Sequence, residues 1–221
     1  MNVNSLIEDR FTMEKSQVLL SRRDRDKLLR QGDILRAAEH VFALKGYYEA
    51  TMQDIAKEAQ YGTGTVYLYF KDKDALYFSL FEEKVKGLLF ILKEEVAKVT
   101  DAREKFKIFV SEKLSFFERN QDFFRIFISE RSKFQAIKNN KCSKSSVIVQ
   151  HRELVNELIK TGQVQKIIRS DFASEQIADV FTSMFMAVVF DWFKDGAKNH
   201  KNVKQMSIFI LNMFFNGAGK S

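Results

Sequence analysis

An all-α fold is predicted for this 221-residue chain by two properties taken together. It contains no proline, so no segment is barred from continuing as helix. Its apolar residues also recur at helical spacing in one segment after another. The nine glycines are left as the main punctuation. Hydrophobic residues make up 45% and charged residues 29%, the balance of a soluble globular protein. The length allows one large or two small domains. Cys142 is the single cysteine, which excludes an intrachain disulfide.

Taken in order, residues 1–26 are expected to form an N-terminal extension, within which Met13 offers an alternative start. Ser21 to Lys27 alternates in charge and suits the solvated beginning of a helix. From Lys27 to Lys45, Ile34, Leu35, Ala38, Val41 and Phe42 share one helical face, and Gly46 stops that helix. Thr51 caps a short helix with Ile55, Ala56 and Ala59 on one side, and Asp54 takes the acidic place of a capping box. A break at Gln60 to Gly62 precedes a second short helix, Thr63 to Tyr69, with Val66 and Phe70 turned inward. Long helix, short helix, tight turn, short helix is a helix-turn-helix within a three-helix unit, assigned to residues 27–73.

Residues 74–221 read as a larger helical domain. A long amphipathic helix begins it, with Leu76, Leu80, Phe81, Val85, Leu88 and Leu92 as its stripe and Asp72 or Asp74 as its cap. Five further helices are expected over 102–119, 122–138, 146–161, 174–194 and 203–216. Glu8, Asp9, Arg10, Glu14 and Lys15 interrupt the first twenty residues, so no signal peptide is expected. The longest apolar run, Met184 to Phe190, is too short to span a bilayer. A cytoplasmic protein without a membrane partner is the expectation.

The net charge of +7 invites a nucleic-acid partner, but its distribution does not single out the helix-turn-helix. Residues 1–73 hold 12 Lys and Arg against 11 Asp and Glu, a net of +1. DNA binding therefore has to rest on placed groups. A recognition helix enters the major groove by its N-terminal end, and here that end is Gly62-Thr63-Gly64-Thr65. Small residues allow close approach, and a threonine methyl suits the methyl of thymine. Tyr67 and Tyr69 lie about 200° apart around the axis, so both cannot be core. Lys71 and Lys73 flank the start of the next helix, where their charge and the helix N-terminus would act on one phosphate. Met52 and Gln53 would face the groove or its edge, and Gln53 can bond adenine at two points. Thr51 serves at least as a cap.

Residues 34–76 read I-L-x-A-A-x-x-V-F-x-x-x-G-Y-x-x-A-T-x-x-x-I-A-x-x-A-x-x-x-x-G-T-V-Y-x-Y-F-K-x-K-x-A-L. This resembles the DNA-binding domain of the TetR/AcrR family of bacterial transcription regulators and covers about one fifth of the chain. The stretch LIKTGQVQKIIRSDFASEQIADVF is similar, more weakly, to the junction between that family's seventh and eighth helices. The resemblance implies that the hydroxyls of Tyr67 and Tyr69 lie near phosphates, and that the partner is a near-palindromic double-stranded operator. The family usually has glycine where Gln60 stands and serine where Gly62 stands, so a slightly different turn is expected here.

In the larger domain phenylalanines crowd residues 106–134. Core packing explains each singly. Together Phe106, Phe109, Phe117, Phe124 and Phe127, with Met184 and Trp192, could line an apolar cavity of the kind found between bundle helices. The resemblance implies a small-molecule effector there, of unknown identity, whose binding releases DNA. The last two helices carry Ile177, Val180, Met184, Val188, Ile208, Leu211 and Phe215, a stripe too wide for one chain to bury, which suits a homodimer through a four-helix bundle. The leading function is a DNA-binding transcription regulator, commonly a repressor in this family. The alternative keeps the DNA-binding domain and makes the controlling partner a protein. No enzyme, cofactor or metal is expected, since His40, His151 and His200 are scattered without ligand spacing and no phosphate loop or nucleophile motif occurs.

Overall fold

The computed structural model describes residues 21–121, 123, 124, 126, 146–194 and 202–217. Among them are eight helices and no strand: α1 (Arg22–Glu49), α2 (Met52–Glu58), α3 (Thr63–Tyr69), α4 (Lys73–Ala97), α5 (Ala102–Arg119), α6 (Ser146–Val164), α7 (Ser174–Lys194) and α8 (Val203–Asn216). Most of the helix expected over 122–138 lies outside the described residues, although 123, 124 and 126 are helical.

The chain divides into a first unit ending at Ser79 and a second beginning at Leu80. The first unit runs past residue 73 because α4 begins inside it. Leu76 and Tyr77 are buried there, with the Tyr77 ring 5.9 Å from Phe42 and 5.3 Å from Tyr47. Ser21 caps α1 by accepting from the Asp24 N–H at 3.2 Å. Gly46 sits at φ +76°, a left-handed conformation that suits glycine, and breaks the helical path of α1 there. Ile34, Leu35, Ala38, Val41 and Phe42 of α1 pack with Ile55 and Ala56 of α2 and Val66 of α3 as the small core. Asp72 caps α4, its carboxylate accepting from the Ala75 N–H at 2.6 Å.

In the second unit, α5 packs on α6 and α8, and α7 packs on α6 and α8, which closes a ring of four helices. Phe106, Phe109, Val110 and Leu114 of α5 and Phe181, Phe185 and Val189 of α7 fill its interior. The turn between α6 and α7 is tight. Lys166 adopts φ +59°, and the N–H groups of Ile167 and Ile168 both donate to the Gly162 carbonyl. A Cβ on Gly162 would lie 2.6 Å from the Ile168 side chain, so this close approach requires glycine.

One helix departs from the sequence-level expectation about membranes. Ser174–Phe193 of α7 is long and apolar enough to cross a bilayer by length and composition, with 22% of that stretch buried. The apolar run counted from the sequence was shorter because Asp191 ended it. The buried residues of α7 point into the bundle, and its remaining apolar side is uncovered in a single chain.

Candidate functional site

Local chemistry builds the helix-turn-helix. The Thr51 hydroxyl accepts from the Asp54 N–H at 3.1 Å, and the Asp54 carboxylate accepts from the Thr51 N–H at 3.1 Å, a complete capping box. Lys45 donates to the same carboxylate at 2.6 Å. The Lys45 ammonium, with the Thr51 hydroxyl next, holds the Asp54 pKa down at about 2. Gln60 turns the chain between α2 and α3 at φ +58°, a conformation unusual for a residue with a side chain. Tyr61 braces the turn by donating to Asp33 of α1 at 2.8 Å, and this bond raises the phenol's pKa. The turn thus keeps its left-handed geometry without glycine.

The residues proposed for DNA separate by exposure. Thr51, Gln53, Gly62, Gly64, Tyr67 and Lys71 are exposed, and Thr63, Thr65 and Tyr69 are half-buried. Lys71 has only an exposed ion pair with Asp72 at 3.6 Å. Met52, expected at the groove, is buried instead, since it shares the i, i+3, i+4 face of α2 with Ile55 and Ala56. Lys73, expected on a phosphate, is engaged within the protein. It donates to the carbonyls of Tyr47 (2.7 Å), Tyr48 (3.0 Å) and Ala50 (2.7 Å), and its Nζ lies 4.6 Å from the Tyr47 ring centre. Three donors meet three acceptors, and the ammonium ties the segment after Gly46 to the start of α4. The Tyr47 hydroxyl adds a bond to Asp74.

Two exposed groups were not anticipated. Leu68, between the two tyrosines of α3, is 85% exposed, and Tyr48 is 69% exposed. Leu68 was legible in principle: Val66 and Phe70 take the inward face of a seven-residue helix, so position 68 has to point out.

The second unit contains an apolar cavity of about 150 Å³. Phe117 and Phe124 line it as expected, together with Phe81, Phe116, Phe123 and Met186. Phe106 and Phe109 are not on its wall. They are fully buried in ring contacts, Phe106 with Phe181 at 5.3 Å and Phe109 with Phe181 at 6.0 Å. Met184 and Trp192 are half-buried elsewhere on α7, and Phe127 lies outside the described residues. Two polar side chains on the wall were not anticipated, Lys113 and His151. Burial lowers the Lys113 ammonium to a pKa of about 7. Burial first, then the neighbouring Lys113, pushes His151 well below its ordinary value. His151 is half-buried and lines the cavity, and desolvation remains the larger of its two causes. Lys113 follows Phe109 and Val110 at i+4 and i+3 on the buried face of α5, a signal present in the sequence.

On the outer side of α7 and α8, Val180 is 66% exposed, Ile208 51% and the neighbouring Phe209 52%. Ile177, Met184, Val188, Leu211 and Phe215 are half-buried. Phe215 also packs on Phe106 at 5.4 Å, so it serves the single chain's core as well.

A helix-turn-helix on a small unit, followed by a larger helical unit with an apolar cavity, defines a DNA-binding regulator. Comparisons with known proteins narrow the class. Residues 34–80 match the model of bacterial regulatory proteins, tetR family. The fatty acid metabolism regulator protein of Bacillus subtilis is 37% identical over 82 residues, 37% of this chain and 42% of that protein. The chain spans less than half the length of the first curated relatives it matches. The fold is shared over far more of the chain. The fatty acid degradation regulator FadR from Bacillus halodurans superposes with a TM-score of 0.76 at 24% identity, covering 86% of this chain and 97% of that one. The transcriptional regulator FadR from Bacillus subtilis, solved in complex with stearoyl-CoA, gives 0.69 at 21% identity, covering 85% and 98%. Residues 34–80 thus carry the sequence pattern of the tetR family of bacterial regulatory proteins, and the chain shares its fold with these solved regulators.

Proposed function

We propose that this protein is a cytoplasmic, homodimeric transcriptional repressor. It binds a near-palindromic operator through Thr51, Gln53, Thr63, Thr65, Tyr67, Tyr69 and Lys71, and is released when a small apolar or amphipathic ligand occupies the cavity. The reading rests on Gly62 and Gly64. Gly62 has φ −66° and ψ 144°, which any residue adopts, and a Cβ on Gly64 would meet nothing within 4 Å. The protein's own packing makes no use of either bare backbone. Close approach of an outside body, such as DNA at the N-terminus of α3, gives them a purpose. Leu68 joins the set as an apolar group for a thymine methyl.

The apolar outer face of α7 and α8 supports the dimer, which would hold two recognition helices about 34–36 Å apart on successive major-groove faces. Sedimentation showing monomers at micromolar concentration would remove this part of the reading. The cavity favours a small ligand over a protein partner, and the stearoyl-CoA bound by the Bacillus subtilis FadR supports an apolar acyl group. A cavity near 150 Å³ is the size that holds benzene, so a long acyl chain would need it to widen.

The test is reciprocity. DNA flanking the protein's own gene is footprinted to find the operator, and acyl-CoA esters of increasing chain length are titrated with and without it. A coupling of about 1–3 kcal/mol changes DNA affinity about 5–150-fold, and operator must weaken the ligand by the same factor. Equal ligand affinities in the two titrations rule out induction by that compound.

A further inference from the structure

Lys113 lies on the wall of the apolar cavity and is only 4% exposed. Its Nζ is 2.9 Å from Nε2 of His151, 4.5 Å from the ring centre of Phe185 and 5.3 Å from that of Phe109. When Lys113 is charged it can only donate, so His151 then accepts at Nε2 and carries its own proton on Nδ1. The remaining ammonium protons face aromatic rings. No carboxylate pairs with Lys113 among the described residues. An ammonium buried without a counter-ion is strongly destabilising, and a methionine or leucine would fill the same volume without that penalty. The stem cannot carry the charge to water, because position 113 shares the inward face of α5 with Phe109, Val110, Phe116 and Phe117. The cavity itself supplies the space beside the amine, and its other walls are hydrocarbon.

We infer that this cavity is a receptor for a small apolar carboxylate, an aromatic acid or a medium-chain fatty acid, whose anionic head pairs with Lys113. His151 orients the amine, and the phenylalanines take the hydrocarbon. The inference deepens the reading of the cavity as an effector site and depends on it. It also separates a free acid from a thioester, which brings no charge to the amine. Among the described residues Lys113 and His151 are the titratable groups on the cavity wall, and in the empty protein above pH 7 the amine is largely neutral. A carboxylate recharges it, so binding takes up a proton from solvent.

Calorimetric titration of the full chain with octanoate and with 1-octanol tests the anchor. Wild type should bind octanoate about tenfold or more tightly than 1-octanol. Lys113→Met should erase that preference. Wild-type titrations at pH 8 in two buffers of different ionisation heat need no variant: octanoate should take up most of one proton and 1-octanol none. Equal binding of the two compounds, a preference that survives in Lys113→Met, or octanoate binding without proton uptake overturns the carboxylate anchor while the apolar cavity stands. If neither compound binds, the effector-site reading falls and the anchor falls with it.

Discussion

Lys73 in the first unit and Lys113 in the second are both drawn in from the surface, and their surroundings could hardly differ more. Lys73 meets three backbone carbonyls within 3.0 Å and stands over a tyrosine ring. Lys113 has one imidazole nitrogen and two phenylalanine faces. The same contrast extends to their neighbours. Around the helix-turn-helix, Asp54, Tyr61 and Asp72 each have partners within the unit. These polar groups of the first unit are satisfied within it, whereas Lys113 of the second has no carboxylate beside it among the described residues. That contrast is what the proposed function asks of the two units, one to read DNA and the other to take a ligand.

Removing the two ammonium groups should therefore have opposite effects. Lys73→Met leaves three carbonyls without their donor and frees the segment after Gly46 from α4, so it should destabilise by about 3 kcal/mol in urea unfolding. A variant as stable as wild type would mean that water replaces the lysine without loss. Lys113→Met should instead stabilise the empty protein, by about 2 kcal/mol near neutral pH. The sign depends on pH. Between the folded pKa of about 7 and the ordinary 10.5, the unfolded chain keeps a proton that the folded chain releases, so wild-type stability rises with pH across that window. Below about 7 this group adds no further slope. Unfolding followed from pH 7 to 10 should show that rise in wild type and its absence in Lys113→Met.

The smallest effect on folding is the most telling for function. Gly64→Ala adds a methyl where the protein has open space, at a helical position that favours alanine. Stability should rise by less than about 1 kcal/mol, while operator affinity falls. A variant that kept full affinity for the operator would show that the bare backbone of Gly64 is not against DNA.

Much of the fold could be read from the chain because it rests on local rules. The expected limits of α5, α7 and α8 coincide with the observed ones, and Thr51, Gly46 and Asp72 act as the caps and stops their chemistry suggests. The site was less legible. A one-dimensional pattern says that Phe106, Phe109, Phe117 and Phe124 are apolar and helical, but not which neighbour each will meet. Phe106 and Phe109 were claimed by α7, and Phe117 and Phe124 were left to face the void. Lys71 and Lys73 were expected beside a phosphate; Lys71 is exposed, but Lys73 is drawn in, because three carbonyls from a preceding turn come together only on folding, as does the ring of aromatic side chains around Lys113.

Every feature carried by neighbours within a few residues could be read along the chain: helix type, caps, the Gly46 break, and the motif from Ile34 to Leu76 that matches the tetR model. Tertiary structure alone decided which buried polar groups found partners. The burial of a charge, and the identity of what lies 3 Å from it, depend on residues far apart in the chain, as His151 is from Lys113. Hydrophobic periodicity, which reports only a face, carries no record of that distance.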